Sequence, residues 1–168
     1  IKESSNTTNI HPYATSHLGG ERVVVESSRK NKINGIVIRL SNAFGHPVER
    51  NANCWSLLVN DLCRQAVVSK KIVLQSSGEQ IRDFVAIEDV CNIVNYLILQ
   101  NNSKNAKLVN IGGNYSCSVY EMAKVIQKYC INLMDFEPII EKQDSNLKTS
   151  SVNKLNYKMN FLCESGYK

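Results

Sequence analysis

Residues 35 to 40, Gly-Ile-Val-Ile-Arg-Leu, and residues 108 to 113, Leu-Val-Asn-Ile-Gly-Gly, constrain this chain more than any other stretch. Both are short runs of β-branched and aliphatic side chains, and neither alternates apolar with polar as a strand with one wet face must. Such a run suits burial on both faces, the condition of a strand inside a parallel sheet. Parallel neighbours need a long crossover, and helical patterns lie between the strands here.

Pro12 suits the first turn of a helix running to about Arg29. Residues 54 to 69 place Trp55, Leu58, Leu62, Cys63 and Ala66 at helical spacing, with Trp55, Leu58 and Leu62 read as core. A strand at 71 to 75 and a turn at 76 to 80 follow, then a strand at 81 to 87. The next helix opens on Glu88 and Asp89, which favour the positive end of a helix dipole. Ser118 and Glu121 have the spacing of a capping box for a helix over 119 to 130. Residues 41 to 47, Ser-Asn-Ala-Phe-Gly-His-Pro, read as a loop, 137 to 142 as a strand, and Val152 to Tyr157 as a last short helix. The whole predicts an α/β fold with a mostly parallel sheet.

With 168 residues, 43% of them hydrophobic, the chain can bury a core as one domain or two small lobes. The net charge of +5 is dispersed, with no basic run and no interleaving of aromatics with cations, which argues against a nucleic-acid partner. It suits an anionic small molecule equally well. The six cysteines form no CxxC or CxxH pair, and His11 and His46 lack a partner at ligand spacing, so no metal is expected. Reduced, buried thiols and a cytoplasmic location are the expectation. No apolar run approaches the roughly twenty residues of a membrane span.

Tyr13 and His17 are four apart and share a helix face. A phenol, with a pKa near 10, is a poor base at neutral pH unless a nearby cation stabilises the phenolate. Arg82 offers a rigid fork of donors that matches phosphate oxygens, though with Asp83 beside it a structural ion pair is equally open. Asn42 either holds its loop by bonding local backbone or reaches a ligand.

Five segments, at 12–21 (PYATSHLGGE), 39–47 (RLSNAFGHP), 78–90 (GEQIRDFVAIEDV), 109–113 (VNIGG) and 118–126 (SVYEMAKVI), occur in one order and spacing. In that order they resemble the extended short-chain dehydrogenase/reductases, and more narrowly the NAD-dependent epimerase/dehydratase family acting on nucleotide sugars. The resemblance implies the C-terminal part of a Rossmann-type parallel sheet with helices plus a small α/β substrate-binding lobe. Residues 1–50 and about 81–112 would belong to the first, and about 51–80 and 113–168 to the second. It implies that Tyr13 exchanges a proton with a sugar hydroxyl while hydride passes to or from NAD or NADP through a keto-sugar. Asn42 would contact substrate and the cofactor side, and Arg82 the diphosphate. A homodimer is implied for the intact protein.

Two departures stand out. His17 occupies the place where the family usually has a lysine that bonds the nicotinamide ribose and lowers the tyrosine's pKa; imidazole is shorter and carries less charge near neutrality. The glycine-rich turn for the dinucleotide has no counterpart: Gly19-Gly20 lies inside a helical pattern, and Gly112-Gly113 follows a late strand. Only twelve residues precede Tyr13, too few for the family's catalytic Ser/Thr strand. The chain thus resembles the C-terminal half of such an enzyme, with the cofactor held mainly by residues missing here. Two functions follow: part of a nucleotide-sugar epimerase or dehydratase, or a non-catalytic nucleotide-sugar binding or assembly module.

Overall fold

The computed structural model describes residues 2–6, 11–49, 51–100 and 107–142; Cys163 and the helix expected at 152–157 lie outside the described residues. Helix α1 spans Pro12–Arg29, with Pro12 in its first turn and His11 as N-cap, the His11 Nδ1 accepting from the Tyr13 N–H at 3.2 Å. Strand β1 (Ile36–Leu40) follows, then β2 (Asn42–Phe44), α2 (Leu58–Ser69), β3 (Lys71–Leu74), β4 (Ile81–Ala86) and α3 (Ile87–Leu99). Strand β5 (Lys107–Ile111), β6 (Tyr115–Ser118), α4 (Val119–Met134) and β7 (Ile139–Lys142) complete the described elements. Ser118 and Glu121 close the expected capping box at the start of α4.

The two runs that opened the sequence argument pair with each other. β1 and β5 are parallel, with Ile38 opposite Val109 and Leu40 opposite Ile111. Val109, Asn110 and Ile111 are fully buried, whereas β1, expected to be buried on both faces, is only half-buried. The reason is coverage: β1 has a partner strand along β5 alone among the described residues. β2 pairs parallel with β4, and β3 with β7.

Two short strands depart from expectation. Residues 42 to 44, read as loop, form β2, and residues 115 to 118 form β6, antiparallel to β4. Both segments are too short for a period of two to stand out, and β4 between them supplies the hydrogen bonds that order them. The described strands therefore form a mixed arrangement, parallel in three pairings and antiparallel in one. Helix α2 begins at Leu58 rather than Cys54, and Trp55 is exposed in the preceding turn with the Arg64 guanidinium 5.5 Å over its ring. Of the three residues expected in the core there, Leu62 is buried, Leu58 packs at the margin and Trp55 is outside it.

Strand β4 divides two hydrophobic cores. Phe84 joins α2, β3 and α4 through Leu62, Ile72 and Ile126. Val85, pointing to the opposite face, joins α3 and β5 through Ile93, Leu97, Val109 and Ile111. Cys54, Cys117 and Cys130 are buried free thiols, as expected, while Cys63 and Cys91 are exposed ones. One side of Cys63 nonetheless borders an apolar cavity of about 590 Å³ between α2 and α4. That burial, with the nearby Cys130 adding to it, pushes the Cys63 thiol up and away from nucleophilic chemistry.

Candidate functional site

Helix α1 carries Tyr13 and His17 on one face, and the i, i+4 spacing brings their rings to 4.3 Å between centroids, tilted by 44°. Tyr13 is 69% exposed, so its hydroxyl is open to a ligand rather than packed inside. Tyr13, Ser16, His17 and Glu21 form one wall of a cleft of about 1050 Å³, and β1 forms the other.

What holds this wall is a pair that the sequence reading did not single out. Arg39 on β1 meets Glu21 on α1 through two bonds, Nε to Oε2 at 3.0 Å and Nη2 to Oε1 at 2.7 Å. The fork is three-quarters shielded from solvent and fixes the helix one turn beyond His17 against the strand. Both residues stood inside the quoted motifs, Glu21 ending the first and Arg39 opening the second, and that position was the available signal.

Asn42 and Arg82 come together in a second cleft, of about 490 Å³, between β2, β4, α2 and β3. Gln65, Gln75 and Gln80 add carboxamides to its lining, and Leu58 and Val73 supply apolar surface. The Asn42 Nδ2 donates to the backbone carbonyl of Asp83 at 3.0 Å, so the residue does hold local backbone while lining the cleft. Arg82 is exposed and donates to the Gln80 Oε1 at 3.0 Å.

Arg82 and Asp83 form no ion pair. They alternate along β4, and the buried Asp83 carboxylate accepts from the Gly113 N–H at 2.9 Å and the Ser116 hydroxyl at 3.3 Å. Asp83 thus uses its side chain to pin Gly113 and its carbonyl to pin Asn42, in place of the ion pair with Arg82 that the sequence left open. The structure brings the four expected site residues together as two pairs, Tyr13 with His17 and Asn42 with Arg82, in separate clefts.

Neither glycine pair sits in a strand-to-helix turn. Gly19 and Gly20 sit within α1, and Gly113 is packed so tightly that a Cβ there would lie 1.7 Å from the Phe84 carbonyl oxygen. Among the described residues no group of three or more His, Cys, Asp or Glu could hold a metal ion. Among them, too, no helix is long and apolar enough to cross a membrane.

Parallel strands joined by helices make this a Rossmann-like α/β chain, and solved nucleotide-sugar enzymes share the fold. It belongs to the NAD dependent epimerase/dehydratase family, whose model matches residues 1–112. A dTDP-L-rhamnose 4-epimerase of Burkholderia thailandensis is 30% identical over 114 residues, covering 68% of this chain and 31% of that enzyme. A UDP-N-acetylglucosamine 4-epimerase of Methanobrevibacter ruminantium, solved with UDP-N-acetylmuramic acid, superposes with a TM-score of 0.77 at 17% identity, covering 100% of this chain and 51% of that one. A dTDP-glucose 4,6-dehydratase of Bacillus anthracis, solved with NAD, gives 0.71 at 20% identity, covering 95% and 46%. The chain spans about a third of the length of the curated relatives it matches.

Proposed function

We propose that this chain is the C-terminal portion of an NAD(P)-dependent nucleotide-sugar epimerase or dehydratase, with Tyr13 as its acid/base. The observation that carries the reading is the exposed Tyr13 hydroxyl in ring contact with His17, at the mouth of a cleft walled by a half-covered parallel strand. The name of the matched family and those of the relatives support the substrate class.

Each residue has a part. Tyr13 takes the proton of a sugar hydroxyl and returns it. His17 orients Tyr13 and bonds the ribose of the nicotinamide nucleotide, Arg82 holds the substrate diphosphate, and Asn42 contacts the sugar and the cofactor side. NAD or NADP, when bound, accepts and returns the hydride. Gly19 and Gly20 lie within α1 rather than in a strand-to-helix turn, so in this reading the chain would hold the cofactor at its nicotinamide end, through His17 and Asn42. In this reading residues 1–50 and about 81–112 are the C-terminal part of the cofactor domain and the remainder is the substrate lobe, in a cytoplasmic enzyme. Exposed Val23, with open space around Gly19, on α1 supports a homodimer formed through that helix.

The test is product analysis with a panel of nucleotide sugars, on protein that carries the preceding polypeptide and NAD. Tyr13→Phe should lower turnover by about 10²-fold or more while the nucleotide-sugar Kd stays within about threefold. Preserved turnover removes Tyr13 from the mechanism. The second reading, a non-catalytic nucleotide-sugar module, is favoured by His17 in the lysine position. It predicts tight nucleotide-sugar binding without NAD and no turnover with it.

A further inference from the structure

Asn60 is the third residue of α2 and only 8% exposed, and the role of this buried carboxamide is set by what it touches. Its Oδ1 accepts from the Gly45 N–H at 3.1 Å and its Nδ2 donates to the Gly45 carbonyl at 2.9 Å. One side chain therefore satisfies both backbone groups of one residue, as a neighbouring strand would. Gly45 leaves β2 with φ 152°, and a Cβ on it would lie 2.4 Å from the Ile87 Cγ2. The backbone three residues after Asn42 is thus gripped from α2 on one side and pressed against the first residue of α3 on the other.

Among the described residues β2, three residues long, pairs with β4 alone, and its near end is tied by the Ser41 N–H to the Ile111 carbonyl and by the Asn42 Nδ2 to the Asp83 carbonyl. Its far end is fixed by Asn60. Arg82 depends on nothing of the kind, because β4 is paired on both edges, with Arg82 opposite Cys117 on β6.

We propose that Asn60 is a positioning residue for substrate recognition: by clamping Gly45 it holds Asn42 in place to contact the sugar of a nucleotide sugar. The inference rests on the reading of the Asn42–Arg82 cleft as the nucleotide-sugar site. It makes a selective prediction, since loss of the clamp disturbs the Asn42 end of the cleft and leaves the Arg82 end intact.

The experiment compares wild type, Asn60→Leu and Asn60→Asp as the full chain, with folding checked by far-UV circular dichroism. UDP-glucose and dTDP-glucose are titrated calorimetrically beside UDP and dTDP. Leucine removes both bonds at similar volume, and aspartate keeps the acceptor for the Gly45 N–H but loses the donor. Asn60→Leu should weaken the nucleotide sugar about tenfold and Asn60→Asp about threefold, with the nucleoside diphosphate within about twofold in both. Amide exchange at Gly45 should speed up in the same order. Unchanged nucleotide-sugar affinity overturns the inference, and so does parallel weakening of both ligands, the mark of a merely structural residue. Should Asn60→Leu not fold, Asn60→Asp and the Gly45 exchange rate decide. Wild type that binds neither ligand sinks the reading of the cleft itself, an outcome distinct from a variant that binds like wild type.

Discussion

Tyr13 and His17 show how a local rule becomes visible without any structure. Four residues on one helix give one face, and the structure supplies the ring contact that this spacing requires. The pairing of Asn42 with Arg82, forty residues apart in the chain, was not legible from spacing at all; both entered through resemblance, and both line one cleft. That Tyr13 and Asn42 line different clefts was invisible in the sequence, because no periodicity encodes which cleft a distant segment will meet. At this scale Arg82→Met should raise the Kd for a nucleoside diphosphate by at least about tenfold, measured by calorimetry, and Arg82→Lys should recover only part, having charge without the fork. An unchanged Kd in Arg82→Met would place the diphosphate elsewhere. Gly113→Ala tests the packing below: its Cβ would fall 1.7 Å from a backbone oxygen that cannot rotate away. It should cost more than about 3 kcal/mol in a denaturant titration.

Elements were legible in proportion to their length and pattern. Helices α3 and α4 announced their starts through acidic residues and a capping box, and the aliphatic runs of β1 and β5 announced themselves as strands. β2 and β6, Asn-Ala-Phe and Tyr-Ser-Cys-Ser, carried no such signal, since what orders them is β4 lying between. The capping box can be tested from both sides. Ser118→Ala removes the acceptor that bonds the Glu121 N–H at 3.1 Å and should cost about 1 kcal/mol. The Glu121 carboxylate, in turn, accepts from the Ser118 N–H at 2.7 Å, and this bond holds its pKa below the usual value, with Lys124 contributing. A depressed carboxylate pKa stabilises the fold above the unfolded value, about 4.3, and loses that contribution as pH falls through the folded one. The melting-temperature gap between wild type and Glu121→Gln should therefore be open at pH 7 and narrow progressively as the pH falls below the unfolded carboxylate value; a gap that persists undiminished in acid would assign it to packing instead.

For the molecule as a whole, the composition promised a core and the strand runs promised a parallel sheet, but neither showed that two cores would share a single strand. β4 gives adjacent residues to each, Phe84 to one and Val85 to the other, and its flanking strands β2 and β6 depend on it for pairing. Losing either core removes the apolar support of the strand that the other core also uses, so the two should unfold in one step. Phe84→Ala should cost about 3–5 kcal/mol and Val85→Ala somewhat less, in line with the smaller volume removed. Both substitutions should move one common transition. Native-state exchange can resolve this: amides of α4, on the Phe84 side, and of β5, on the Val85 side, should report the same opening free energy in wild type and fall together in either variant. If Phe84→Ala released α4 while β5 kept its wild-type protection, the shared strand would not couple the cores, and the half-covered β1 side would be a unit able to hold its shape alone.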